Sequence, residues 1–202
     1  MKETLCWTCE FCTGVTRPNP NPNDTNKFFV CPWASRCQPV PGWKAKKTEL
    51  KVVPNHTTTS YLVESCPYYV ADLEAKIAAM DYEQIARRLE TSISFVRRHL
   101  KLSRQVLYIY TNKYNKMAKI HFHKTGEKYL PAKDRYDLKK DIIKDILLLA
   151  QEEIAELTGD SSDDIKYNRA LKQIIPDCQE MLKQVDRWYK MYKAAHATTT
   201  AN

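Results

Sequence analysis

Glycine is scarce: the 202-residue chain holds four. Neither G-x-G-x-x-G nor G-x-x-x-x-G-K can be built from them, so the glycine-rich cradles that hold nucleotide phosphates are excluded. Long apolar runs are missing too. The run Ile146–Ala150 is far short of the ~18 residues a membrane span requires, so no membrane partner is expected. The first residues, MKETLCWTCE, contain no apolar stretch of the signal-peptide kind, which predicts a cytoplasmic protein. Catalytic signatures are equally lacking. There is no H-E-x-x-H, no G-x-S-x-G, and no acidic constellation in the basic region that could hold magnesium. The expectation is that the protein is not an enzyme.

What the chain does have is unevenly spread. Hydrophobic residues at 43% and charged residues at 28% fit a globular protein, and the net charge of +8 leans toward an anionic partner. Eight of ten prolines and six of seven cysteines lie at or before Pro67. The stretch Arg17 to Asn26, RPNPNPNDTN, cannot be helix, because alternate prolines remove donors and push their neighbours out of the α region. Residues 1–67 therefore read as a small, loop-rich, strand-and-turn domain with too few aliphatics to rely on a core alone. From Asp72 the pattern turns helical, with Asp81 and Ser92 placed to cap successive helices. Residues 72–133 read as one helical domain, 134–195 as a helical hairpin, and 196–202 as a disordered tail.

Cys6, Cys9 and Cys12 are spaced C-x-x-C-x-x-C, followed by Cys31, Cys37 and Cys66. A C-x-x-C turn points two thiolates at one ion at ~2.3 Å, and a tetrahedral site needs two more from the remaining four. A disulfide framework is disfavoured without a secretory signal, and burial as small apolar residues does not account for six cysteines in so short a segment. Structural Zn2+ is the expected cofactor. Around these cysteines, CWTC, TG, CPW, PVPGW and SYLVESCPYY resemble a cysteine-rich, zinc-ribbon-like module of uncharacterised proteins from phages and mobile elements of Gram-positive bacteria. The resemblance covers Cys6 to Tyr69. It implies that Cys6, Cys9, Cys31 and Cys66 are the four ligands. The chain departs from it in the PNPNPN insertion and in Cys12 and Cys37, which stand as alternate ligands.

IARRLETSISFVRRHLK resembles the bacterial helix-turn-helix pattern, with Ala86 where two helices touch, Leu89 and Val96 in the core, and Glu90 and Thr91 departing from the usual glycine and apolar residue. The resemblance implies a second helix that presents Ser92, Ile93, Ser94, Arg97 and Arg98 to a major groove, with Arg87 and Arg88 near phosphates. Arginine suits a bidentate guanine contact. Charge points the same way: from Arg97 to Lys133 ten Lys/Arg, among them Lys101, Arg104, Lys113 and Lys116, face one acid, Glu127. Residues 1–133 are net +10 and residues 134–202 net −2, so the tail is not the anion-binding face. After the second helix, QVLYIYTN and MAKIHFHK alternate Leu107, Ile109, Ile120 and Phe122 with tyrosines and histidines. That alternation favours a β-hairpin, a wing, narrowly over a continued helix. On a strand His121 and His123 would share a face as a polar surface near phosphate. His99 reads as partly buried or phosphate-facing.

In the tail, Leu138, Ile142, Ile146 and Leu149 form one stripe, ending at a Thr158-Gly159 stop. Leu171, Ile175, Cys178, Leu182, Val185, Tyr189 and Tyr192 form a heptad seam in the next helix, with Cys178 as packing and Pro176 as a kink or restart. An antiparallel stripe from Leu138 to Leu157 would cover the first half of the seam, leaving Val185, Trp188, Tyr189 and Tyr192 to pack back on the helix-turn-helix unit or, as the favoured option, on a second copy in a homodimer through the C-terminal helices.

The expected fold is thus mainly α: a small zinc-stapled β/loop N-terminal domain, a helix-turn-helix with or without a wing, and a C-terminal helical hairpin. The expected function is a DNA-binding transcriptional regulator of a phage or mobile element with duplex DNA as partner. The alternative is a phage-encoded inhibitor that docks on a host protein, and a third class binds RNA or single strands through the tyrosine-rich stretch.

Overall fold

The computed structural model describes residues 4–13, 17–18, 23, 28–53, 56–156 and 162–197. It is mainly helical, with two small two-stranded sheets among the described residues. The chain divides into two compact units, Met1–Ala78 and Ala79–Asn202.

In the N-terminal unit, two 3-10 turns, Leu5–Thr8 and Glu10–Thr13, carry the first three cysteines. Strands β1 (Arg17–Pro18) and β2 (Phe28–Phe29) pair antiparallel, Arg17 opposite Phe29. A five-residue helix, α1 (Pro32–Arg36), opens with proline at its first turn, where a missing N–H is harmless. Strands β3 (Lys44–Val53) and β4 (His56–Ser65) form a long antiparallel hairpin with Lys44 opposite Ser65 and Thr48 opposite Ser60. Gly42 turns the chain into β3 at φ +78°, where a side chain would be strained. The unit closes on α2 (Leu73–Ala78), so the division falls several residues beyond the composition change at 67. Its core is built from cysteine and aromatic rings: Cys9, Phe11, Phe29, Cys31 and Val40 are buried together, with Trp43 and Tyr68 against them. Phe29 stacks on Tyr68 at 4.3 Å, and Trp33, Trp43 and Tyr61 form a second ring cluster.

The regular elements described in the C-terminal unit are all helices. Asp81 caps α3 (Tyr82–Leu89) in a capping box with Gln84, and Ser92 Oγ accepts from Phe95 N–H to cap α4 (Ile93–Arg98). His99 interrupts the helical dihedrals, yet the backbone bonds His99 to Phe95 and Ser103 to His99 run through it. The chain continues directly into α5, Leu100–Thr125. Here the wing is corrected. Both alternating runs and the TNKYNK stretch between them lie inside α5, because no glycine or proline interrupts residues 100–125 and a 3.6-residue face (Leu102, Val106, Leu107, Tyr110) packs on the core. Gly126, at φ +76°, ends the helix.

Helix α6 (Ala132–Glu156) and helix α7 (Ser162–Ala197) run antiparallel, joined by Tyr136 to Asp186 at one end and Tyr167 to Glu153 at the other. The Thr158-Gly159 stop lies outside the described residues, as do residues 198–202 of the expected disordered tail, while His196 and Ala197 are the last helical residues of α7. Pro176 does not restart the helix: α7 is one element, with buried Leu171, Cys178 and Met181 on both sides of the proline. The expected pairing of stripes also needs correction. Tyr167 already meets Glu153, well before Leu171, and Tyr136 meets Asp186 and Tyr189, so α6 reaches well past the first half of the seam. Val185 is buried, and Tyr189 stacks on Tyr136 at 3.9 Å. Both therefore have partners in cis. Phe95, Val96, Ile85, Leu89, Ile142, Ile143, Met181 and Val185 make the buried core, each worth roughly 1.5–3 kcal/mol in removed apolar surface. Among the described residues, no helix is long and apolar enough to cross a membrane.

Candidate metal centre and nucleic-acid interface

The C-x-x-C-x-x-C segment folds as consecutive 3-10 turns, which place Cys6, Cys9 and Cys12 around one cavity of about 20 Å3. Cys31 arrives from the N-terminus of α1 and Cys66 from the end of β4, both lining the same cavity. All four cysteines implied by the zinc-ribbon resemblance are therefore gathered, with Cys12 as a fifth. Cys37 is not in the lining. It is exposed in the left-handed region at the C-terminus of α1. The other walls are Leu5, Val40, Trp43, Val63 and Tyr69.

The surroundings favour charge on Cys9. The N–H groups of Phe11, Cys12 and Val70 bond to Cys9, and that of Tyr68 to Cys66. The Cys12 thiol hydrogen-bonds to Cys9 and, with the backbone donors, draws the Cys9 thiol down to about 6 against the effect of burial. Cys12 holds the shared proton and is pushed up. Burial raises Cys6 and Cys66. Among the described residues, no group of three or more His, Cys, Asp or Glu side chains stands in ligand geometry, so the sulfurs converge on the cavity without being drawn to a common point. The donor chemistry nonetheless fits zinc: five sulfurs and no carboxylate in a small, dry lining.

In the C-terminal unit, α3, the turn and α4 put the predicted groove-facing residues on the surface. Ser94, Arg97, Arg98 and Lys101 are exposed, Ser92 and Arg104 half-buried, while Phe95 and Val96 between them point into the core. Ile93, at 43% exposure, lies at the start of the same helix. Arg97 also sits over the Tyr82 ring at 5.6 Å. Arg87 and Arg88 are exposed on α3, Arg87 paired with Glu83 at 3.0 Å. Lys113 and Lys116 are exposed on α5, Lys113 bound to Asp145 of α6 at 3.1 Å. On a helix His121 and His123 do not share a face. His121 meets Glu127 at 3.2 Å and His123 is exposed. His99 is partly buried, paired with Asp177 at 3.1 Å.

The turn itself carries a feature missed in the sequence. Glu90 occupies the position where glycine is usual and takes its left-handed conformation, φ +56°. Its carboxylate meets Lys139 Nζ of α6 at 3.1 Å, and Lys139, only 2% exposed, also faces the Tyr110 ring. Burial lowers Lys139, opposed by Glu90. The signal was present: Lys139 shares the buried face of α6 with Ile142, Ile143 and Ile146, a place lysine takes only when paired. Trp188 of α7, one of the residues expected to seek a partner beyond the first half of the seam, returns to the turn between α3 and α4. Together with Ala86, Arg87, Ser92 and Ile93 it lines a groove of about 560 Å3 beside the turn. Cys178 is packing, fully buried, its thiol pushed up to about 11 by desolvation.

No protein-family model matches the chain, and neither does any curated protein or solved structure.

Proposed function

We propose that the chain is a zinc-containing DNA-binding protein, a transcriptional regulator of a phage or mobile element. In this reading α3 and α4 form a helix-turn-helix without a wing, and the N-terminal unit is a zinc-ribbon-like module stapled by Zn2+. The observation that carries the DNA reading is the outward face of α4 and the first turns of α5. Ser94, Arg97, Arg98 and Lys101 lie there at helical spacing over a buried Phe95–Val96 base, so the side chains that would enter a groove stand on a fixed support. Arg97 or Arg98 would take a guanine edge, Ser92 and Ser94 would contact bases or backbone, and Lys101, Arg104, Arg87 and Arg88 would neutralise phosphates.

Zinc, when bound, would tie Cys6, Cys9, Cys31 and Cys66 and so link the first turns, α1 and the end of β4. Its role there is folding rather than chemistry.

The test is duplex binding by fluorescence anisotropy as salt is raised. Affinity should fall steeply in proportion to the phosphates neutralised, and Arg97→Ala should cost ~1–3 kcal/mol on a preferred site while relaxing its sequence preference. Absence of duplex binding at low salt would overturn the reading. The groove beside Trp188 supports a second reading, in which the same basic face docks on an acidic host protein and an apolar side chain of that partner enters the groove. Capture from nuclease-treated host lysate, lost in Trp188→Ala and with no duplex binding, would replace the first reading with this one.

A further inference from the structure

We propose that the chain pairs with a second copy of itself by exchanging two helical faces left uncovered in the C-terminal unit. One is the far half of α5 and the other the far half of α6. Neither belongs to the α4 face assigned to DNA, and the proposal does not rest on that assignment.

On α5, Lys113, Met117, Ile120 and Lys124 fall on one face at helical spacing, with Lys116 beside them. On α6, Asp145, Leu149, Glu152 and Glu156 recur at the same spacing, with Leu148 beside them. Each face is therefore an apolar strip edged by charge, and the two edges are opposite in sign. Both strips lie open: Ile120 is 49% exposed and Leu149 57%. Within one chain the exposed Lys113–Asp145 pair joins the near ends of the two faces.

The occupant follows from the chemistry. Nucleic acid would neutralise the α5 lysines, yet it would leave the leucines and carboxylates of α6 unmatched. A second copy matches both faces at once, because the α5 strip of one chain can lie on the α6 strip of the other and the reverse. Such reciprocal contact closes as a two-fold pair. Apolar contact supplies the affinity and the charged edges fix the register.

Sedimentation velocity of the full chain, free of nucleic acid, tests this across the micromolar range. The wild type should form dimers. Lys116→Glu with Lys124→Glu makes both faces acidic, and Glu152→Lys with Glu156→Lys makes both basic. Each double variant should need more than about tenfold higher concentration to associate, with helical circular dichroism unchanged. Mixed in equal amounts, the two should associate again, because each then carries the complement of the other. Leu149→Ser, which alters no charge, should also weaken the dimer. A wild type that stays monomeric overturns the proposal. So do double variants that associate like the wild type, or a mixture of folded variants that remains monomeric.

Discussion

Glu90 offers the sharpest test of how the turn between α3 and α4 is held. Its carboxylate is the ionic partner of Lys139, which is 2% exposed and also faces the Tyr110 ring. Glu90→Ala would leave that ammonium buried without a counter-charge. Breaking a fully buried pair costs about 3–5 kcal/mol, and because Glu90 is about one-third exposed we expect about 2–4. Glu90→Gly removes the same carboxylate but relieves the left-handed conformation, so it should be the milder change by about 1 kcal/mol. Adding Lys139→Met to Glu90→Ala should restore most of the loss. The sign with pH follows from Lys139, whose folded-state value is lowered, first by desolvation. Between the folded and the higher unfolded value the unfolded chain binds the extra proton, so stability rises with pH there. Without Glu90 the folded value drops further, so the deficit of Glu90→Ala should be largest near pH 7 and shrink toward pH ~10. Urea unfolding followed by helical circular dichroism reads all four proteins. If Glu90→Gly is as stable as the wild type, or the deficit of Glu90→Ala does not change with pH, the pair does not hold the turn.

Outcomes for five other substitutions are expected. Cys9→Ser should take zinc content, measured by metal analysis of freshly purified reduced protein, from about one per chain to well below one. Cys37→Ser, at an exposed position outside the cavity, should leave both zinc content and the thermal midpoint unchanged. Ser92→Ala removes the side-chain acceptor of Phe95 N–H and should lower stability by about 1 kcal/mol in urea unfolding. Met181→Ala, fully buried between the hairpin helices, should cost about 2–5 kcal/mol. Met191→Ala, exposed near the end of the same helix, should fall within about 0.5 kcal/mol of wild type by the same assay.

The elements that depend on local chemistry were legible before any coordinates. Asp81 and Ser92 cap where their side chains reach a backbone donor three residues on, and that reach is a property of the local sequence. Burial of Ala86, Leu89 and Val96 followed from the helical spacing. The gathering of Cys6, Cys9 and Cys12 was also local, since two short turns carry them. The arrival of Cys31 and Cys66, and the exclusion of Cys37, depended on how α1 and β4 fold back, which spacing cannot state. Only the resemblance favoured Cys31 and Cys66 over Cys37.

What stayed hidden was tertiary. Leu107, Ile109, Ile120 and Phe122 alternate with polar neighbours, and alternation suits a strand if both faces find the environments it implies. Here only Leu107 of the four is buried, because it lies on the helical face shared with Val106 and Tyr110, while Ile120 and Phe122 stay exposed. The alternation was therefore fortuitous, and the uninterrupted residues between Leu100 and Thr125 were the better guide. Glu90 likewise looked like a poor substitute for glycine so long as its partner was unknown. A buried lysine forty-nine positions away turns the substitution into an anchor, since glycine could adopt the dihedral angles but could not neutralise Lys139. The same holds for the homodimer expected through α7. It rested on Val185, Trp188, Tyr189 and Tyr192 lacking partners; Val185 is buried, Tyr189 stacks on Tyr136 of α6, and Trp188 lies beside the turn between α3 and α4. Uncovered apolar surface remains on α7 at Met191 and Tyr192, while on α5 and α6 the mixing of charge with Ile120 and Leu149 disguised each strip as an ordinary solvated face.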